Sequence, residues 1–182
     1  MDNLSKDLAL PCTFLHSEFN HKQHFSAHSV VDSSTTIHRD AIDFFNDHDI
    51  QITAVEIFYR RPAEQYGLVH IDNEGYTDRV NLNYVIGGAE SMMTWFKTIA
   101  PNAGYLTKGD TGASPRRYHV HEVEPIHSAE IKQPSIIQSA VPHAILNKLN
   151  QRWCICANLR DIKTKDAVTW DLAMDRLKNY II

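Results

Sequence analysis

A histidine and an aspartate lie two residues apart in the stretch LVHIDNEGYTDRV, where an extended segment gives way to a polar turn. Residues two apart in a strand point to the same side, so His70 and Asp72 can direct a ring nitrogen and a carboxylate oxygen at one point. Two ligands from one local segment do not hold a metal ion firmly. The pair therefore predicts a third ligand from a distant part of the chain.

His143, in the stretch QSAVPHAILN, is the candidate third ligand. Pro142 restricts the backbone before it and removes one backbone donor, which favours a strand end with a side chain that faces a site. Two histidines and one carboxylate on one face of an octahedron leave the other positions open. That arrangement is the one preferred by non-haem Fe(II) oxygenases.

Arg152 follows His143 by nine residues and opens the stretch RWCICANLR. The intervening NKLN can form a hairpin turn, which would return Arg152 to a position beside His143. A planar guanidinium suits bidentate binding of a carboxylate. Open metal positions beside a carboxylate clamp are what a chelating 2-oxo acid requires.

The ordered set of H-x-D, then P-H, then an arginine nine residues later resembles the Fe(II)/2-oxoglutarate-dependent dioxygenases. The resemblance is closest to their prolyl- and aspartyl-hydroxylase-like branch and covers roughly residues 54–160. The stretch VPHAILNKLNQRWCICANLR looks like the last two core strands of that family. The resemblance implies a double-stranded β-helix, also called a jelly roll.

The resemblance also implies a reaction. Fe(II) would be bound by His70, Asp72 and His143, and 2-oxoglutarate would chelate the iron and pair its far carboxylate with Arg152. Dioxygen would take the remaining position, and the co-substrate would be decarboxylated to succinate while a substrate C–H bond is oxidised. Halogenating members of the family lack the carboxylate ligand, so the presence of Asp72 favours hydroxylation.

Two further residues match positions that this branch uses around the co-substrate. Tyr59 precedes His70 by eleven residues, near where the branch places a tyrosine that bonds 2-oxoglutarate. Arg79 follows His70 by nine residues, where the branch often carries an arginine of the site. The alternatives are a core tyrosine with a bonded hydroxyl and an arginine in solvent.

The strand after the H-x-D pair supplies amide candidates. One face of this strand should look into the barrel, so Asn83 is the preferred hydrogen-bonding partner of the co-substrate, and Asn81 is the second choice. Arg160 is the alternative to Arg152, because some branches of the family place the clamp further along the chain.

The distribution of predicted elements favours a mainly β fold with flanking helices, in one domain of residues 1–182 with a core at about 50–160. Such a pattern is typical of a sandwich or barrel with helices packed outside, which is compatible with a jelly roll. The predicted strands are CTFLHSEF, QITAVEIFYRR, YGLVHID, DRVNLNYVIGG, SMMTWFKTIA, RRYHVHEV, IIQSAVPH, AILN and RWCICANLR. One helix, capped by Thr35 or Thr36, should bury Ile37, Ala41, Phe44 and Phe45, and TWDLAMDRLKNYI should end the chain as an amphipathic helix.

Residues 100–134 are rich in glycine, proline and charge and are predicted to be a long loop with one short strand. His119 and His121 in this stretch are spaced as in the cupin metal motif, but the glycines of that motif are missing. A solvated strand or a lid that contacts substrate is the preferred interpretation. The cations Lys108, Arg116 and Arg117 either steer an acidic substrate or are simply solvated.

Composition excludes several classes of function. The 182 residues carry a formal net charge of −4, which does not favour a nucleic-acid binder. No apolar run is long enough for a membrane span. An odd count of three cysteines without a signal peptide argues against a disulfide framework and for the cytoplasm, with Cys154 and Cys156 as buried strand thiols. No nucleophile elbow or phosphate-binding glycine loop is present.

The sequence therefore predicts an Fe(II)- and 2-oxoglutarate-dependent hydroxylase that uses dioxygen and acts on an amino-acid, peptidyl or small-metabolite C–H bond. Two alternatives stay open. One is an iron dioxygenase of the same fold that does not use 2-oxoglutarate, and the other is a catalytically silent jelly-roll binding module. Neither the substrate nor the oligomeric state is predicted.

Overall fold

The computed structural model describes residues 4–63, 66–72, 75, 77–108 and 115–182. Twelve strands occur within these residues: β1 Ser5–Asp7, β2 His28–Val31, β3 Ile50–Arg60, β4 Val69–Ile71, β5 Val80–Gly87, β6 Met92–Thr98, β7 Tyr105–Leu106, β8 Arg116–Tyr118, β9 Val123–Ala129, β10 Ser135–Gln138, β11 His143–Leu146 and β12 Arg152–Asp161. The α-helices in the same residues are α1 Ser33–Thr36, α2 Arg39–Asp47 and α3 Trp170–Leu177.

The strands form two six-stranded antiparallel sheets. The first sheet has the order β1-β10-β5-β12-β3-β2, and the second has the order β7-β8-β4-β11-β6-β9. Along the chain β3, β4, β5 and β6 alternate between the two sheets, and β9, β10, β11 and β12 alternate again. This order is that of a double-stranded β-helix, so the predicted mainly β jelly roll is confirmed.

Strand β12 shows how the sequence sorts its side chains between two environments. Alternate residues of a strand face opposite sides of the sheet. One row of β12 packs with α2 and α3 in the main hydrophobic core and consists of Trp153, Ile155, Ala157 and Leu159. The other row faces the second sheet and consists of Arg152, Cys154, Cys156 and Asn158. We call the face that carries this second row the inner face.

Helix α2 covers the outer face of the first sheet, as its apolar spacing predicts. Ala41, Phe44 and Phe45 of the helix are buried in the main core, together with Ile37 just before it. The predicted cap at Thr35 or Thr36 is wrong, because the side chain of His38 accepts a hydrogen bond from the backbone N–H of Asp40. The two threonines instead belong to α1.

Helix α3 is held against the end of β12 by a charged pair. Arg176 Nη2 donates to Asp161 Oδ2 at 2.8 Å, and both side chains are largely buried. Arg176 Nη1 also donates to the carbonyl oxygen of Asp49. The predicted C-terminal amphipathic helix is therefore present, with Ala173 and Leu177 as its most buried residues.

Two strand predictions need correction. The stretch CTFLHSEF forms only a single bridge, between Leu15 and Ile37, because no neighbouring strand continues the pairing. Residues 100–134 are more ordered than a loop with one strand: β7, β8 and the seven-residue β9 lie there, and β9 pairs with β6. Residues 109–114 of this stretch lie outside the described residues.

None of the helices within the described residues is both long and apolar enough to cross a membrane.

Candidate metal centre

The pairing of β4 with β11 brings the distant histidines together. His70 and His143 are register partners across the two antiparallel strands, and their ring centroids are 4.7 Å apart. Asp72 lies directly after β4. Its Oδ1 is 3.4 Å from His70 Nε2 and 3.5 Å from His143 Nε2, and one ligand atom from each of the three residues lies within 4.8 Å of the others. The predicted His-Asp-His group is thus assembled as a candidate metal centre.

Each ring is oriented by a backbone carbonyl two residues earlier. His70 Nδ1 lies 2.9 Å from the carbonyl oxygen of Leu68, and His143 Nδ1 lies 2.9 Å from that of Val141. A carbonyl oxygen only accepts, so each Nδ1 carries the hydrogen and donates it. In the neutral rings this leaves the Nε2 lone pairs directed at the centre, as metal-binding histidines require.

Asp72 is oriented by an amide on the first sheet. Asn81 Nδ2 donates to Asp72 Oδ2 at 3.0 Å, which leaves Oδ1 directed at the two imidazoles. The contact crosses the space between the two sheets, since Asn81 belongs to the inner row of β5. Asn81, the second choice among the amides of this strand, is therefore the one that contacts a metal ligand.

Electrostatics favour the charged form of the carboxylate. Burial raises the pKa of Asp72, but the hydrogen bonds and charges of His143 and His70 outweigh burial and hold the pKa well below its usual range. Burial lowers the pKa of His70, whereas contact with Asp72 raises it, and the net shift is upward. Arg117, the register partner of His70 on β8, opposes that rise. The anionic carboxylate is ready to bind a cation.

Arg152 lies on the same inner face and is almost completely buried, with 4% of its surface exposed. Its Nε has no hydrogen-bond partner among the described residues. The aliphatic stem packs on Gly88, where an added Cβ would lie 2.8 Å from the Cβ and Cγ of Arg152. A buried guanidinium with an unsatisfied donor is costly unless an anion completes its bonding.

A second guanidinium faces Arg152. Arg60 is its register partner on β3 and lies half-buried across Gly67. Burial and the charge of Arg152 lower the pKa of Arg60. In the part of the chain that the structure describes, no carboxylate lies within ion-pair distance of either arginine. Among the described residues, this end of the barrel therefore carries two neighbouring positive charges.

Two thiols lie between this arginine pair and the metal centre. Cys154 and Cys156 follow Arg152 on the inner row of β12, and the Arg152 guanidinium contacts the Cys154 thiol. Burial raises the pKa of both thiols, and the Asp72 carboxylate adds to that rise. The cysteines are free, so the prediction of buried strand thiols is confirmed. The two uncharged thiols lie between the Arg152 guanidinium and the Asp72 carboxylate.

The other predicted co-substrate contacts fall in different places. Asn83 is on the inner row opposite Cys156, and its Oδ1 has no hydrogen-bond partner within the described residues. Arg79 donates through Nη2 to Asn158 Oδ1, at the end of β12 remote from Arg152. Asn83 thus lies on the inner face with an unpartnered amide oxygen, whereas Arg79 lies at the opposite end of the barrel.

Tyr59 is not brought to the metal centre. It alternates with the inner-face residues of β3, and its ring contacts Phe25 and Trp153 on the outer face, with centroids 5.4 and 5.1 Å away. The co-substrate role expected for Tyr59 therefore conflicts with its position. The physical reason is strand parity, because residue 58 or 60, but not 59, faces the interior.

Sequence reasoning missed Arg60, although a signal was available. The period of two in QITAVEIFYRR places Arg60 on the face opposite to Ile57 and Tyr59. The sequence does not specify the register of β3 against β12, and it is this register that places Arg60 opposite Arg152.

The histidines at 119 and 121 form no metal cluster with other described residues. Their rings are stacked, with centroids 5.5 Å apart, and His119 lies against Tyr105. Glu122 accepts a hydrogen bond from the backbone N–H of His119 and closes a short 3-10 turn. The solvated strand predicted for these histidines is therefore a short 3-10 turn between β8 and β9.

Comparisons with known proteins add little to this geometry. No protein-family model and no curated protein matches the chain. A solved structure of pumpkin seed globulin resembles 84% of this chain at 12% sequence identity and a TM-score of 0.30. The match spans 31% of the globulin chain. A similarity at this level carries no argument about chemistry.

Proposed function

We propose that this jelly roll is an Fe(II)- and 2-oxoglutarate-dependent oxygenase that hydroxylates a C–H bond. The observation that carries the proposal is the combination of two features in one interior. His70, Asp72 and His143 converge from two strands, and the buried guanidinium of Arg152 has an Nε without a hydrogen-bond partner among the described residues. Either feature alone would be compatible with simple metal or anion binding.

The donor set fits Fe(II). Two neutral imidazoles and one carboxylate are the ligands of the facial triad, and they leave positions for a chelating co-substrate and dioxygen. When bound, iron would supply the activation of dioxygen that protein side chains cannot provide. The backbone carbonyls at Leu68 and Val141 and the amide of Asn81 hold the three ligands in their binding orientation.

The arginine pair fits the co-substrate. A dicarboxylate that reaches the metal centre with one end would place its other carboxylate against Arg152, where a bidentate pair can form. Arg60 adds a second positive charge at that end. The walls between consist of Cys154, Cys156 and Asn83, which offer weak hydrogen bonding along the chain of a keto acid and exclude water from it.

Turnover of the co-substrate tests the proposal directly. Protein purified without oxygen is incubated with Fe(II), carboxyl-labelled 2-oxoglutarate and air, and labelled carbon dioxide is measured. We expect uncoupled decarboxylation in the parent chain and its loss in His70→Ala. In Arg152→Gln, the 2-oxoglutarate concentration for half-maximal rate should rise about 100-fold, because a buried charge-assisted pair is lost.

Arg39→Gln is the matched control, since Arg39 is an exposed arginine on α2. It should leave turnover unchanged. Metal binding by the parent chain without any 2-oxoglutarate turnover would contradict the proposal and support an iron dioxygenase that does not use the keto acid. Absence of metal binding would leave a jelly roll that binds ligands without catalysis.

A further inference from the structure

A cleft of about 540 Å³ opens on the inner face of the first sheet, beyond the end of the barrel that holds Asp72. It is lined by residues of β3 and β12 and by the segments next to them: Gln51, Thr53, Ala54, Arg79, Asn158, Leu159, Arg160, Lys165 and Ala167. This volume is in the range of small-molecule sites. The cleft is separate from the arginine pair described above.

The cleft is continuous with the metal centre through one row of side chains. Asn158 lines the cleft and is the register partner of Asn81, which binds the Asp72 carboxylate. Because paired residues of neighbouring strands point to the same side, both amides face one space. The inner row of β12 thus runs from Arg152, past the thiols and the level of the metal ligands, to Asn158 and Arg160.

Three of the lining side chains are cationic and none is acidic, but one lining amide is bound to a carboxylate: Asn158 Nδ2 donates to Glu56 Oε1 at 3.1 Å. The other oxygen of Glu56 contacts His28 Nε2. Arg160 Nη1 donates to the backbone carbonyl of Lys165, which holds the guanidinium at the rim without neutralising its charge. Arg79 is fixed on the wall by its bond to Asn158. Within the described residues, neither Arg160 nor Lys165 has a carboxylate within ion-pair distance. The potential inside the cleft therefore favours an anion.

The cleft lies at a bulge in the pairing of β12 with β3, between Asn158 and Leu159. At this point the pairing of β12 with β3 skips Thr53, whose hydroxyl donates to the carbonyl oxygen of Asn158. A bulge bends the strand and re-aims its side chains, and it is common next to functional sites. Here the residue that the pairing skips, Thr53, and its neighbour Gln51 both line the cleft.

We propose that this cleft binds the anionic group of the substrate, so that the substrate is a small molecule bearing a carboxylate or a phosphate. The assignment of that ligand as a substrate rests on the function proposed above, whereas anion binding by the cleft does not. The two cationic regions would then bind different molecules. Arg152 and Arg60 hold the co-substrate on one side of the metal, and Arg79, Arg160 and Lys165 hold the substrate on the other.

Titration of the full-length, isotope-labelled chain with inorganic phosphate and, separately, with acetate tests the proposal by NMR. We expect saturable shifts of the backbone signals of Asn158, Arg160 and Lys165. They should persist in Arg152→Gln, because that arginine is outside the cleft. In the double variant Arg160→Gln/Lys165→Gln the affinity should fall about tenfold or more, since charge-assisted bonds are lost.

The control is Arg61→Gln/Lys148→Gln, which removes the same net charge from exposed positions at the other end of the barrel. An equal loss of affinity in this control would overturn the proposal, because the effect would then be one of net charge. Shifts centred on Arg152, or no saturable shift with either anion, would also overturn it. If phosphate or acetate binds as expected but no 2-oxoglutarate is consumed, the anion site stands and the oxygenase proposal fails.

Discussion

At the scale of single residues, the metal centre depends on contacts that fix its ligands before any ion binds. Each histidine donates to the backbone carbonyl two residues earlier in the chain. Asp72 accepts a hydrogen bond from the side-chain amide of Asn81 on the opposite sheet. Such contacts determine the tautomer and the rotamer of a ligand, so they contribute to affinity without touching the metal. Asn81 is the most informative of them because it joins the two sheets.

Asn81→Ala should weaken binding of Co(II), used as a spectroscopic substitute for Fe(II), by about 10- to 100-fold. The physical reason is that Asp72 loses the donor that holds its second oxygen away from the metal. Calorimetric titration of the metal-free chain measures the affinity. Asn83→Ala is the matched control on the same row of β5 and should bind Co(II) with parent affinity. Equal affinities of parent and Asn81→Ala would show that the amide has no orienting role.

At the scale of elements, the turn after β5 shapes the arginine site. Gly88 has a φ of +62°, and the stem of Arg152 occupies the space where a side chain would lie. Gly88→Ala should therefore displace Arg152 and cost about 1–2 kcal/mol from the left-handed backbone alone. Under the proposed function, the half-saturating concentration of 2-oxoglutarate should rise while Co(II) affinity stays unchanged.

Chemical denaturation and turnover assays check this prediction together. Ala89→Ser, in the same exposed turn, is the control and should behave like the parent. If Gly88→Ala shows parent affinity for 2-oxoglutarate, Arg152 is not part of the co-substrate site. A loss of Co(II) affinity would mean that the turn supports the barrel as a whole instead of the arginine.

The pair between β12 and α3 predicts a pH dependence of stability. Burial raises the pKa of Asp161, but donation from the backbone of Lys163 and from Arg176 outweighs burial and lowers the pKa below its usual value. A lowered folded-state pKa means that the stabilisation is present above the unfolded pKa of about 4 and is lost as pH falls through the folded value. Asp161→Asn should therefore unfold at a lower temperature than the parent at neutral pH.

The difference in melting temperature between the parent and Asp161→Asn should shrink as the pH falls below about 4, where the parent carboxylate becomes protonated. Calorimetry at a series of pH values measures this difference in melting temperature. Asp175→Asn, which removes an exposed carboxylate from α3, serves as the comparison and should have little effect at any pH. A constant difference across the pH range would show that the charge of Asp161 is not what anchors α3.

At the scale of the whole molecule, the two faces of the first sheet have different surroundings. Its outer face packs with the helices in the main core, and its inner face carries the arginine, thiol and amide rows. Ile155 is fully buried on the outer face. Its neighbours in sequence, Cys154 and Cys156, lie on the inner face. The inner face is also packed, since its Val85, Ile137 and Cys154 form a core cluster with Met93 and Trp95 of the second sheet.

Ile155→Ala should lower the free energy of unfolding by about 3 kcal/mol, because it deletes buried methyl groups and leaves a cavity. At a temperature where the variant is folded, Co(II) affinity should remain within about twofold of the parent. Urea denaturation and metal titration measure the two quantities. Val30→Ala, at an exposed position of β2, is the control for stability. A parallel loss of metal affinity in Ile155→Ala would mean that the two faces are coupled.

Much of the metal centre was accessible from sequence because its parts are local. The spacing of His70 and Asp72, the proline before His143 and the arginine that opens β12 are all read within a few residues. The mainly β class followed from the period of two in several segments. In residues 100–134 the sequence predicts one short strand, at RRYHVHEV, and misses β7 and most of β9, since glycine, proline and charge there resemble a loop. Pairing of β7 with β8 and of β9 with β6 stabilises these strands.

Residue types, their order and their alternation along each strand were determined by the sequence itself, because a pleated strand sends neighbouring side chains to opposite sides. Only the tertiary structure decided which strands are neighbours and in what register. That register places His70 against His143 and Arg60 against Arg152, sends Tyr59 outward, and opens the cationic cleft at a bulge. The physical reason is that strand pairing depends on hydrogen bonds between segments far apart in the chain, which no local pattern specifies.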